Sequence, residues 1–192
     1  FPLAFEDDRS ALDEAFAADL AAIAERHAYD SDLAALVAEA RLVVHPWDQW
    51  DADHRPLHDT EIIVAGLEEA LHRSPKHPGL HHFYIHTMEN SSVPGKALPS
   101  AKVLPKLAPG AGHMVHMPAH YFIHNLHFEA WSAMYMGREE DAVRAARSIE
   151  EETPPALLEQ LAGWLDAYLA VPMHVSIRFG RWDEVLAAPA RD

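Results

Sequence analysis

The sequence predicts an all-α protein, arranged as a short α-solenoid of paired helices. Amphipathic stretches rich in Ala, Leu and Glu recur at helical spacing, and no alternating β-branched run of strand length interrupts them. Helix-ending prolines also return at a regular interval, since Pro75 and Pro109 lie 34 residues apart. The length of 192 residues fits one domain, so we expect a single helical-repeat domain over residues 1–192.

The first part of the chain predicts three helices and one long loop. The helices are expected over 8–27, 31–44 and 59–73, with the loop HPWDQWDADHRP at 45–56. Ser10 and Ser31 are the expected N-caps of the first two helices, and Asp59 or Thr60 that of the third. Within the loop, Trp47, Asp48 and Trp50 indicate either packing within the solenoid or the rim of a substrate site.

A repeat underlies these helices. The stretches 63–75, 97–109 and 142–154 each begin with a small or aliphatic residue and end with proline twelve positions later. Gly137 is placed for the turn between two helices, and RFGRWDEVL at 178–186 predicts another such turn. This pattern is typical of the helix pairs of tetratricopeptide repeats.

Composition excludes several classes of function. The chain has 15 Lys+Arg against 30 Asp+Glu, a net charge of −15, which argues against nucleic acid and anionic membranes as partners. Cys is absent, so disulfides, thiolate metal sites and Cys nucleophiles are excluded. No transmembrane run or secretory leader is visible, which predicts a cytoplasmic protein, although the chain starts at Phe1 rather than Met.

Histidine is the main anomaly, with 15 residues. In HPGLHHFYIHTMEN, His82, His86 and Glu89 stand at i, i+4 and i+7, on one helical face. In GHMVHMPAH the spacing is i, i+3 and i+7, for His113, His116 and His120. Because His116 and His120 follow the first pair by 34 residues each, the repeat predicts that the two pairs are neighbours.

These spacings suit a transition-metal site. Imidazole binds Cu, Fe and Zn, whereas Mg and Ca prefer oxygen ligands. The predicted metal ligands are His82, His86, His113, His116, His120, His124 and His127. Glu89 is predicted to act as catalytic base, as a further ligand or as an orienting group, and the set could hold two ions. A histidine network without metal is the alternative.

The remaining histidines are predicted to be structural. His77 precedes Pro78 and suits a turn, while His81 should leave the His82 face and be exposed. The others with no partner at helical spacing are His45, His54, His58 and His72. The sequence leaves the role of His174 open.

The two histidine motifs resemble those of bacterial tetratricopeptide-repeat proteins that carry HPGxxHxYIHxxE followed by PGAGHxxHMPxH. The resemblance covers roughly residues 40–189 and implies an all-helical repeat fold, without a secure activity. Its motif residues fall on His77, His82, His86, His113, His116, His120 and Glu89. After His120 the sequence departs from that pattern. Either a helix pair is lost, or the sequence joins two segments across an absent stretch near 120–121, which we favour.

We therefore expect a metal-dependent enzyme, an oxidoreductase that uses O2 to oxidise a small molecule or peptide at a multi-His copper or iron centre. A zinc-dependent hydrolase with Glu89 as base is one alternative. Another is a helical-repeat module that binds a peptide or protein and carries a structural His-zinc site. Metal storage or delivery is a third, and the sequence does not indicate an oligomeric state.

Overall fold

The computed structural model of the chain describes residues 9–117, 120–153 and 169–188, except for the side chains of 122–124 and 152. Within these ranges the structure is helical. Extended pairing is limited there to one isolated antiparallel bridge between Trp50 and Pro56. The predicted all-α class is confirmed, while the grouping of the helices into tetratricopeptide-like pairs stays a prediction.

The chain divides into two compact units, Phe1–Ala108 and Pro109–Asp192. The first unit contains α1 (Ser10–Arg26), α2 (Ser31–Val44), α3 (Thr60–Arg73), α4 (Pro78–Met88), a 3₁₀ turn (Pro94–Ala97) and α5 (Leu98–Leu107). Each predicted helix of this unit is present within two residues of its expected ends. Organisation as a single domain stays a prediction.

The capping predictions for the first two helices are wrong. Ser10 is already inside α1, and its N-cap Arg9 makes no side-chain capping bond. Asp30 caps α2, because its carboxylate accepts the Leu33 N–H at 3.0 Å. Ser31 instead bonds to the Ser74 hydroxyl at 2.6 Å, which links the start of α2 to the end of α3.

The core of the first unit lies between α2, α3, α4 and α5, which pack on one another. Its largest fully buried side chains are Leu67, Leu80, Ile85, Met88 and Leu104. Burying such side chains contributes about 1.5–3 kcal/mol each, so these contacts fix the position of α4 between its neighbours.

The second unit contains α6 (Gly112–His116), a π-helical segment (His120–His127), α7 (Phe128–Tyr135), α8 (Glu139–Glu152), α9 (Val171–Arg178) and α10 (Trp182–Ala187). Both predicted turns are confirmed, because Gly137 and Gly180 adopt φ of 71° and 69°, a left-handed conformation that glycine reaches without strain. The first turn of α8 is acidic, with Glu139, Glu140 and Asp141, which suits the positive end of the helix dipole.

Within the second unit, α8 packs against the π-helical segment, α7 and α9. Val171 and Val175 of α9 are fully buried, as are Val115 of α6 and Met117, which directly follows that helix. No helix in the described part of the chain combines the length and the apolarity that crossing a bilayer requires.

Candidate metal centre

The helix α4 carries the first histidine motif, and His77 starts it. Its Nδ1 accepts the Leu80 N–H at 3.2 Å, while Nε2 bonds to Asp32 Oδ1 at 2.8 Å. Pro78 follows at the first helical position, where a missing N–H costs nothing. His77 is therefore an N-cap, in agreement with its predicted role in the turn.

Nearly every face of α4 is buried. Its apolar side chains enter the core, and the face with the motif residues is also covered: His82 is 9% and Glu89 5% exposed. The His86 side chain retains 21% exposure, so a small molecule can reach its imidazole. The helix thus presents two imidazoles and one carboxylate from a rigid, packed backbone.

The three motif side chains of α4 lie together, as their i, i+4, i+7 spacing predicts. The ring centroids of His82 and His86 are 4.9 Å apart with planes at 77°, and their ligand atoms lie within 4.8 Å of each other. His86 Nδ1 is 4.0 Å from Glu89 Oε1. That separation is too long for a direct hydrogen bond, so the pair is spaced for a third atom between them.

The prediction that His81 is exposed is wrong, because this residue is buried. Its Nε2 lies 3.0 Å from the Pro75 carbonyl and its Nδ1 2.8 Å from Ser100 Oγ. A carbonyl only accepts, so Nε2 carries the proton and the serine hydroxyl donates to Nδ1. Burial lowers the pKa of His81 and favours this neutral form.

The loop between α2 and α3 is anchored on the end of α4. The Trp50 indole N–H donates to the Thr87 carbonyl at 2.6 Å, and His54 Nδ1 donates to the Asn90 carbonyl at 2.8 Å. Trp47 lies beside the motif itself, with its ring centroid 6.0 Å from that of His86. The aromatic loop therefore belongs to the surroundings of the candidate centre.

Two other loop histidines form a separate structural pair. The rings of His45 and His58 stack at 3.6 Å, and His58 Nε2 bonds to Asp48 Oδ2 at 2.8 Å. They line a cleft of about 440 Å³ that also contains Arg41 and Thr60. These contacts are consistent with the structural role predicted for His45, His54 and His58.

In the second unit, α6 carries His113 and His116, and His120 begins the π-helical segment. The rings of His116 and His120 approach to 5.4 Å with planes at 85°. His113 and His116 are exposed, whereas His120 is half-buried. The α-helix α6 ends at His116, and Met117 is its C-cap.

Of the last two predicted ligands, His124 and His127, only His127 has a described side chain. His127 lies with Trp131, at 5.9 Å between ring centroids, and the ring of His174 is 5.8 Å from Trp131. Burial, and secondarily the charge of His174, lowers the pKa of His127. The side chain of His124 lies outside the described residues.

Within the first unit, the candidate ligands His82, His86 and Glu89 lie together. Within the second unit, the rings of His116 and His120 are neighbours. No pattern in the sequence predicted the π-helical backbone or the anchoring of the loop on α4. The loop is held by contacts between residues 36 and 37 positions apart along the chain.

No family model, curated protein or solved structure matches this chain. The resemblance to histidine-rich tetratricopeptide-repeat proteins therefore stays a prediction.

Proposed function

We propose that this protein is a metal-dependent enzyme whose central ligand set is His82, His86 and Glu89. The observation that carries the proposal is the placement of a buried carboxylate 4.0 Å from His86 Nδ1, beside a second imidazole, on one packed helix. Ligands at about 2.0–2.2 Å from a tetrahedral ion lie about 3.4 Å apart, so a small side-chain rotation completes the geometry.

The donor set indicates the class of metal. Two imidazoles with one carboxylate are typical of non-haem Fe(II) oxygenases and also of catalytic zinc sites. Such a centre leaves coordination positions open, and iron or copper supplies the redox chemistry for oxidation of a small molecule or peptide by O2. We favour the oxidative reaction on an iron or copper centre.

The protein's own residues orient the centre and limit access to it. The His77 cap and the buried core side chains hold α4, so both imidazoles sit on a backbone that cannot easily shift. Glu89 is 5% exposed, so a cation beside its carboxylate would offset the cost of burying a charge there. His86 is the most accessible of the three, with a half-buried side chain, and in this proposal it faces the incoming molecule. A tetratricopeptide-like solenoid is the scaffold that we propose for this arrangement.

The second motif is expected to contribute further ligands. The predicted ligands there are His113, His116 and His120, of which the last two have neighbouring rings. Their imidazoles would raise the affinity of the protein for a transition metal, and a second ion is compatible with the total number of donors.

Metal analysis by plasma mass spectrometry on untagged protein tests the proposal. We expect one or two redox-active ions per chain, with loss of metal in His86→Ala and in Glu89→Gln. His72→Ala is the matched control, since His72 is exposed on α3. His120→Ala then shows whether the second motif holds the same ion. Full metal content in His86→Ala and in the double variant with His120→Ala would disprove the centre.

The alternative with most support is a zinc site. Burial of His82 and Glu89 suits either a structural zinc or a zinc hydrolase with Glu89 as base. Stoichiometric zinc in the purified protein would favour this class. Unfolding of the metal-free protein would then indicate a structural ion, whereas a folded metal-free protein would indicate catalysis.

A further inference from the structure

Trp47 has an unusual environment for a tryptophan. It is 71% exposed, so its indole gains little from burial. Its backbone has φ of 64°, in the left-handed region that bulky side chains rarely adopt. The backbone conformation costs folding free energy, and the largely exposed indole recovers little of it through burial.

The strain is concentrated in this loop. The non-glycine residues with positive φ in the described part of the chain are Trp47, His54 and His58, all within twelve positions. Strained backbone persists where its surroundings over-determine it, and it clusters at functional sites. The loop around these residues is therefore a candidate for a functional element.

Hydrogen bonds made by the neighbouring loop residues hold Trp47 in place. The Gln49 side-chain amide donates to the His45 backbone carbonyl at 2.6 Å. The Gln49 backbone carbonyl accepts a hydrogen bond from Thr60 Oγ1 at 2.9 Å. Trp50 and His54 tie the loop to the end of α4, as described above. The position of the Trp47 ring relative to α4 is thus fixed by hydrogen bonds on both sides of it.

The ring is held next to the accessible member of the proposed ligand set. The Trp47 and His86 rings are 6.0 Å apart with planes at 77°, an edge contact. Because Trp47 is 71% exposed, most of its flat indole remains available to a molecule that approaches the open position of the metal. Flat aromatic groups pack well on such a face.

We propose that Trp47 is a specificity-determining residue that binds an aromatic group of the substrate beside the metal centre. This role rests on the proposed function, because it needs an open metal position near His86. It assigns the substrate class: a molecule with a planar aromatic ring next to the group that reaches the metal.

The test uses Co²⁺-loaded protein titrated with imidazole and with 4-phenylimidazole, followed by the visible d–d absorption. Both probes occupy an open metal position, but only the second carries an aromatic ring for Trp47. We expect wild type to bind 4-phenylimidazole about tenfold more tightly than imidazole, the scale of one aromatic contact. Trp47→Gly should bind both equally, whereas Trp47→Phe should keep most of the preference.

Controls separate this role from packing. Trp182→Ala removes another exposed indole, 58% accessible on α10, and should keep the wild-type preference. Trp47→Gly should unfold at the wild-type temperature or above it, because glycine relieves the left-handed strain. Lower stability or lost Co²⁺ in that variant would overturn the inference, as would an unchanged preference. Absence of Co²⁺ bands in wild type would instead remove the metal centre itself.

Discussion

Replacement of His81 by alanine tests whether two adjacent histidines of α4 have different roles. His81 bonds to Ser100 and to the Pro75 carbonyl, whereas its neighbour His82 belongs to the candidate centre. We expect His81→Ala to destabilise the fold and to leave the metal content of the folded protein unchanged. His82→Ala should lower the metal content instead.

The size of the effect follows from the contacts. Each lost hydrogen bond is worth about 1 kcal/mol, so the two account for about 2 kcal/mol. The partly unfilled space and the unpaired Ser100 hydroxyl, which is buried, add about 1 kcal/mol more. The expected loss in the free energy of unfolding is therefore about 3 kcal/mol.

Urea denaturation of the metal-free variants measures this loss. His72→Ala, at an exposed position, should remain within about 0.5 kcal/mol of wild type. In a double-mutant cycle, His81 and Ser100 should couple by about 1 kcal/mol. A loss below about 1 kcal/mol for His81→Ala, or no coupling, would refute the assigned hydrogen bonds.

Three further outcomes follow from local structure. His77→Ala should lower the free energy of unfolding by about 1 kcal/mol, because the α4 cap is lost. His77→Asn should retain most of the wild-type value in the same urea denaturation assay, since asparagine can also cap a helix. Equal stability of the two variants would contradict the capping role. Gly137→Ala should cost about 1–2 kcal/mol because alanine is strained at φ of 71°, and a thermal melt no lower than that of wild type would contradict it. The Arg181 guanidinium lowers the pKa of Glu184 from 4.5 to about 2. Because the folded pKa is depressed, this stabilisation is present above pH 4.5 and is lost as the pH falls towards 2. Between pH 5 and pH 2.5, the melting temperature of Glu184→Gln should therefore fall less than that of wild type. Equal falls in the two proteins would exclude the ion pair.

The parts of the fold that were predictable from sequence depend on local rules. The helix ends before Pro75 and Pro109 and the turns at Gly137 and Gly180 follow from backbone sterics that act within a few residues. The grouping of His82, His86 and Glu89 follows from helical periodicity alone. These features needed no knowledge of the packing.

The parts that were not predictable depend on distant partners. The burial of His81 is set by Ser100 and the Pro75 carbonyl, which no spacing in its own helix reveals. Ser31 does not cap α2, and its hydroxyl instead bonds to that of Ser74, 43 residues away. In the same way, Trp47 gained its position beside His86 through hydrogen bonds of the loop to α4.

The π-helical segment from His120 to His127 affects how the second unit would respond to the deletion of a residue. A π-helix holds more residues per turn than an α-helix, so it is equivalent to an α-helix with residues inserted. Deleting one residue there would let the backbone relax towards α geometry, because the tighter winding of the remaining residues makes up for the lost one and keeps His120 in nearly the same orientation relative to α7. This segment is therefore a place where the second unit can lose one residue without re-aiming its histidine, whereas the same deletion inside α8 would turn the residues on one side of it by about 100° relative to the other.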